Sequence, residues 1–359
     1  MKADECEREM KAGKTMKPRI ILATVVLAGV FPTWALAQGS GGVADDLKAA
    51  AATVTPAAPV TFLTFTGQVD HAAAGTGLRN FDSGTIRLRG IPANSTVVRA
   101  FLYWAMICPT GAACPPVVPI EFEGRTIDSR IICTGAQPCW VAGASLGVYL
   151  ADVTGLMPGT TAAVVANKVI NGDYQISRFP FNAAERDGRD PFAPVTVNTP
   201  KVEGATLVVV YSNPALPAAS RVHIHHGCDF FSGTLNVRNA LAPAAPTPIA
   251  FVKSTRFGAD GQVGIGTNAS PLTSEEKTFF GGPSLNCATA VLTQIAGDGS
   301  LRNHDSDWNG NDGGPLNQLW DTRTTTVTGL LSAGATSYCV RYVSSGDCMN
   351  AIGYVLTLR

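Results

Sequence analysis

Charge is scarce in this chain. Only 15% of its 359 residues are charged, and 27 basic residues balance 27 acidic ones. A basic stripe is missing, which argues against a nucleic-acid partner. Alternation of strands with long helical patterns is missing too, which argues against parallel α/β folds. After residue 37 no apolar run approaches the length needed to span a bilayer. No acidic pair can be assigned to glycoside hydrolysis. Glu121 and Glu123 share a strand face, but a strand pair alone defines no cleft.

What is present points to export. Lys14, Lys17 and Arg19 precede the apolar run Ile20 to Phe31, and Ala35-Leu36-Ala37 has the small-x-small form of a cleavage site. Residues 1–37 therefore read as a secretory signal peptide, with Met16 an alternative start. Residues 38–60, rich in Gly, Ala, Thr and Pro, read as a flexible leader. Cys6 falls in the signal segment, and the remaining cysteines are Cys108, Cys114, Cys133, Cys139, Cys228, Cys287, Cys339 and Cys348. An even count in an exported chain reads as disulfides. Close spacing suggests Cys108–Cys114, Cys133–Cys139 and Cys339–Cys348 as local staples, leaving Cys228 with Cys287. The spacings are too long for zinc pairs.

From residue 61 the patterning is that of strands. Val98, Ala100, Leu102, Trp104 and Met106 form one apolar face, with a mixed face behind, so this strand is expected to be buried mainly on one side. Glu123-Gly124 joins two strand-like runs. Asn171-Gly172 between Ala162–Ile170 and Asp173–Phe179 predicts a type I′ hairpin. Ala205 to Tyr211 and Tyr354 to Leu358 read as apolar strands; a short helix is expected at Ala44 to Ala52 in the leader, and in the second half only Ser270 to Lys277 looks helical.

Two stretches echo each other. Val153-Thr154-Gly155-Leu156 leads to Asn171-Gly172-Asp173, and Val327-Thr328-Gly329-Leu330 leads to Ser345-Gly346-Asp347. Gly155 and Gly172 are 17 residues apart, as are Gly329 and Gly346. Matching order and spacing predict a duplicated supersecondary unit. The expected fold is all-β, an antiparallel β-sandwich or jelly-roll-like architecture with two related, disulfide-stapled halves. Residues 61–218 would form the first half and residues 219–359 the second.

Three constellations carry possible chemistry. Asp305, Asp307 and Asn309 alternate before Gly310, the first half of an EF-hand calcium loop; Asp312 and Asp321 are the nearest residues to complete it. The alternative is a polar turn closed by Asp and Asn side chains. Trp308 and Trp320 flank this stretch; each either stacks on a sugar or caps a sheet edge. His223 and His225 share one strand face and form an alternative site for a transition metal, with His71, His304 or a carboxylate as third ligand. The other reading is a solvated face. Gly143-Ala144-Ser145-Leu146-Gly147 matches a nucleophile elbow, but the strand-like run that follows fits a plain Gly-rich loop better.

Three pieces together, Val98–Trp104, Tyr149–Thr154 with Gly204–Tyr211, and Leu319–Thr322 leading to Gly346–Cys348, resemble β-rich domains of unknown function in exported bacterial and archaeal surface proteins. The resemblance runs in order over roughly residues 84–359; it implies an exported β-sandwich and hands over no activity, so no catalytic residue is carried over from it. Where such domains carry Asp-Gly, this chain has His226-Gly227. The expected function is a secreted or cell-surface, non-enzymatic binding or structural protein, with calcium as the expected stabilising ion and a surface glycan or protein as partner. The alternative is a secreted hydrolase of an extracellular polymer using Ser145 or a metal at His223/His225. A third reading is a subunit of a filament or coat. No transmembrane segment is expected after signal cleavage.

Overall fold

Alternating polarity and paired apolar faces resolve into two copies of one strand order. The structure is a computed structural model that describes residues 60–78, 81–136, 143–159, 169–181, 200–259, 277–296, 320–343 and 349–359. Strand β1 (Val60–Gly67) stands first. The first half then contains β2 (Val69–Gly77), β3 (Gly84–Leu88), β4 (Thr96–Cys108), β5 (Val117–Phe122), β6 (Arg125–Ala136), β7 (Ser145–Asp152), β8 (Gly172–Ser177) and β9 (Lys201–Ser212). The second contains β10 (Ser220–Phe231), β11 (Thr234–Ala240), β12 (Val252–Ala259), β13 (Lys277–Gly281), β14 (Thr293–Ala296), β15 (Trp320–Thr326), β16 (Ser337–Val343) and β17 (Met349–Leu358). All described strand pairs are antiparallel. Among the described residues no helix is long and apolar enough to cross a membrane.

The first half is one eight-stranded sheet in the order β2-β9-β4-β7-β6-β5-β8-β3. It curls until its edge strands β2 and β3 lie beside each other. The second half has the same order cut in two, β10-β17-β12-β15 and β14-β13-β16-β11, with β1 added at the β10 edge. Each strand of the first half thus has a counterpart eight places later. The shared order is that of an eight-stranded jelly roll, two four-stranded sheets closed by Greek-key connections.

The repeated Val-Thr-Gly-Leu words mark equivalent corners. Ala100 N–H of β4 donates to Thr154 Oγ1 at 2.9 Å, and Val252 N–H of β12 donates to Thr328 Oγ1 at 3.0 Å. Val153 N–H returns to Ala100 O, and Val327 N–H to Val252 O, each at 2.9 Å. Leu156 N–H and Leu330 N–H close the turns on Val153 O and Val327 O at 2.9 and 3.1 Å. A threonine hydroxyl stands in for a ladder partner where the strand neighbour turns away.

Three cores follow. Leu102, Trp104, Met106, Leu207, Ile120 and Tyr174 fill the lumen of the first roll. Phe280, Val340, Tyr342, Tyr354 and Leu356 fill that of the second. Between the rolls lies a third layer, where Phe101, Tyr103, Ile107, Val208 and Val210 meet Val222, Ile224, Phe257, Ile352 and Val355. Strand β4 is therefore buried on both faces, not mainly on one, because its outer face is covered by the second roll. Gly204 of β9 lies where a Cβ would collide with the Trp320 side chain, so glycine there permits the close approach of the rolls.

Local turn chemistry is mixed in outcome. Glu123 and Gly124 have φ of 53° and 69°, as a two-residue β5–β6 hairpin requires. Neither Asn171 nor Gly172 has positive φ, so the expected type I′ turn is not formed there. The Asn171 side chain instead brackets Ile91, accepting from its N–H at 2.9 Å and donating to its carbonyl at 2.6 Å. Most of the first hairpin arm, the expected leader helix at 44–52 and residues 270–276 of the second expected helix lie outside the described residues, and Lys277 opens strand β13.

The disulfides correct two of the expected staples and a third pairing. Cys108–Cys114 is local, as expected. Cys133 pairs with Cys228, joining β6 of the first roll to β10 of the second, and Cys287 pairs with Cys339. Sequence proximity failed because β6 and β10 meet only in the folded molecule. Cys139 and Cys348 lie outside the described residues.

Thr154→Val and Thr328→Val each orphan a strand N–H, at an expected cost of about 1–3 kcal/mol in chemical denaturation. Equal losses within error are expected from the matching geometry; a negligible loss at either corner would contradict the equivalence.

Candidate functional site

Polar residues on otherwise apolar strands gather in two places. The first is the layer between the rolls. Asp70 and His71 come from β2, Lys253 and Thr255 from β12, Thr324 from β15, and Thr357 from β17, with Arg359 following it. Lys253 Nζ lies 2.7 Å from Asp70 Oδ1, and Arg359 lies 3.3 Å from Asp70 Oδ2. Thr357 Oγ1 donates to Asp70 Oδ1 at 2.8 Å. Its only proton is then used, so it accepts from His71 Nδ1–H at 2.6 Å. A neutral His71 protonated at Nδ1 must accept at Nε2, so Thr255 donates there at 2.7 Å. Thr324 in turn donates to Thr255 at 2.7 Å. The chain Thr324–Thr255–His71–Thr357–Asp70 therefore has one consistent proton order.

The electrostatics agree with that order. Burial alone would raise the Asp70 carboxyl, but the Lys253 charge and hydrogen bonds from Lys253 and Thr357 outweigh it and hold it below its ordinary range. Burial, reinforced by the Lys253 charge, pushes His71 well below its usual value. This resembles a hydroxyl–imidazole–carboxylate triad. However, His71, Thr255 and Thr357 are fully buried, so no substrate can reach them. The network locks one roll onto the other.

The second cluster lies in the lumen of the second roll. Sheet β11-β16-β13-β14 covers the face carrying His223 and His225, which is buried rather than solvated. The two rings are 6.4 Å apart between centroids and nearly parallel. The Tyr338 ring meets His225 edge-on at 5.8 Å. His223 Nδ1 lies 3.2 Å from Thr64 Oγ1. Burial pushes His223 down to about 4, helped by Arg221, and His225 down to about 3, helped by His223 and His226. Burial alone raises Asp229 to about 6.

The duplication shows how this lumen departs from its counterpart. With Ala100 and Val252 as equivalent corners, ladder register matches Ala74 to His223 and Thr76 to His225. One row across the first roll reads Thr76, Ala205, Trp104, Tyr149. The equivalent row of the second reads His225, Tyr354, Arg256, Arg323.

Other expected site residues fare differently. His71 faces the layer between the rolls, while His223 and His225 face the opposite side of β10, so His71 is not their third ligand. Among the described residues no group of three His, Cys, Asp or Glu is arranged to hold a metal. Asp305, Asp307, Asn309, Asp312, His304 and Trp308 lie outside the described residues. Asp321 is buried on β15 opposite Gly258. Trp320 is fully buried between the rolls, its indole N–H donating to Thr206 Oγ1 at 2.8 Å. Ser145 opens strand β7, with no helix behind it, and its hydroxyl lies 3.7 Å from Cys114 Sγ. A nucleophile elbow needs the helix.

No protein-family model matches the chain, and no curated protein matches it. Among solved structures, the crystal structure of infectious bursal disease virus VP2 subviral particle matches at 11% identity, over 87% of this chain and 76% of that one. Its TM-score of 0.20 carries no argument about fold or function. The resemblance to exported surface domains stands on the residues quoted for it alone.

Sequence reasoning missed the Asp70–His71 network. Its threonine partners lie 184 to 287 positions away. The only sequence signal is Thr255 and Thr357 on apolar strands.

The enclosed imidazoles make stability pH-dependent. His71, His223 and His225 have folded values below the ordinary 6.5, so below about pH 6.5 the unfolded chain binds more protons. Stability then falls as pH drops from 6.5 toward 4. Asp229 works the other way, because its raised value favours the folded state in acid and costs stability as pH rises through about 6. His226, pushed down to about 4 by burial, acts in the same direction as the other imidazoles, so four imidazoles outweigh one carboxyl. Midpoints measured from pH 7 to 5 should fall, and Asp229→Asn should steepen the fall; a flat profile would contradict the buried, neutral imidazoles.

Proposed function

We propose that the chain is an exported, disulfide-stapled protein that binds or builds surface structure and catalyses no reaction. The observation that carries this reading is the enclosure of its histidine clusters: His71, His223, His225, Thr255 and Thr357 all lie inside the layers of the fold, while half-buried Ser145 meets Cys114 Sγ rather than any of these imidazoles. Export is supported by the three disulfides among the described residues and by the leader pattern in residues 1–37. The partner is a surface glycan or another protein. Isolated envelope polymer should retain the purified chain without releasing soluble fragments. Release of fragments that Ser145→Ala or His225→Ala abolishes would establish the polymer hydrolase instead. Failure to reach the extracytoplasmic fraction, with thiols left reduced, would remove the export reading.

Calcium enters this proposal through the spacing Asp305-x-Asp307-x-Asn309-Gly310 alone. A ligand at a hundredfold excess over Kd adds about 2.7 kcal/mol to a fold that binds it. The thermal midpoint should rise in excess calcium relative to chelator. Asp305→Ala with Asp307→Ala should abolish the rise. An unchanged midpoint would leave the stretch as a polar turn.

A further inference from the structure

We propose that the lumen of the second roll is a non-catalytic site for one borderline transition ion, copper(II) or zinc(II), held by His223, His225 and Tyr338. His223 Nε2, both ring nitrogens of His225 and the Tyr338 hydroxyl are buried without a hydrogen-bond partner among the described residues. Buried polar atoms of native proteins almost always find a partner, so a cluster of orphans marks an occupant. The three side chains line one lumen, all fully or almost fully buried. His223 and His225 leave the same face of β10, and the Tyr338 ring meets His225 edge-on at 5.8 Å. Both amide atoms of Asn239, directly opposite Tyr338 in the β11–β16 ladder, are also orphaned and offer a further oxygen.

The duplicated fold supplies a control. Alanine and threonine, at positions 74 and 76, occupy the equivalent places in the first roll, so jelly-roll architecture does not require imidazoles there. Neutral imidazole nitrogens with one phenolate oxygen suit copper or zinc rather than magnesium or calcium. Arg256 lies in the same row as His225, two strands away, and disfavours bare positive charge. Binding therefore proceeds with loss of the Tyr338 phenol proton to bulk buffer, which lowers the net charge entering the lumen by one. Enclosure means that the ion enters as the roll folds.

The full chain, with disulfides formed, would be stripped of metal, unfolded and refolded with copper(II) or zinc(II) alone. One ion per chain is expected, with a raised thermal midpoint. With copper, nitrogen hyperfine structure and a phenolate charge-transfer band are expected. His223→Ala with His225→Thr, the residues of the first roll, should refold and lose affinity by more than the roughly 10–100-fold that loss of an outer partner costs. Tyr338→Phe keeps the ring and should remove the charge-transfer band. No bound ion, retention of the ion by the double variant, or an unchanged spectrum in Tyr338→Phe would overturn the assignment.

Discussion

The packing of one roll's sheet against the other determines most of what this chain looks like. Strands β4 and β9 serve two cores at once, so both of their faces must be apolar. That double duty explains the continuous burial of Phe101 to Cys108 and of Lys201 to Tyr211. It also explains Gly204, which lets Trp320 approach the β9 backbone. Burying apolar area between sheets supplies the bulk of the attraction, but such a surface slides easily. The polar groups within it fix the register. Asp70 takes Lys253 and Arg359 from the second roll, and His71 takes Thr255 and Thr357. An apolar substitute could match their stability, yet would specify the docking less uniquely. The Cys133–Cys228 bridge ties the same two rolls covalently.

Duplication divides labour between the two lumens. The first is filled by Trp104 stacked on Tyr149 and by aliphatic side chains. The second keeps the same ladder but places histidine, tyrosine and arginine in the equivalent row. A polar lumen contributes less to stability than an apolar one of the same size. Its retention beside an apolar twin is most simply explained by an occupant.

The readable parts of the sequence were those whose physics is local. Thr154 and Thr328 announce equivalent corners because a hydroxyl bonding a neighbouring strand needs only a short word. Glu123-Gly124 announces a hairpin for the same reason. Asn171-Gly172 misled because the Asn171 side chain is spent on Ile91, a contact 80 residues away. Cys133 misled because its nearest cysteine in sequence is not its nearest in space. His223 and His225 were legible as a pair sharing one face. Their enclosure was not, since it depends on a covering sheet built from β11, β13, β14 and β16. The Asp70–His71 network left only Thr255 and Thr357 on their strands as a signal.

Equilibrium urea unfolding of the oxidised chain, followed residue by residue through amide exchange, tests the central claim most directly. If the shared layer welds the rolls, protected amides of β4 and β9 and those of β12 and β17 lose protection in one transition with a common midpoint. Two separated transitions, with β12 and β17 exchanging while β4 and β9 stay protected, would contradict the account and make each roll an independent unit.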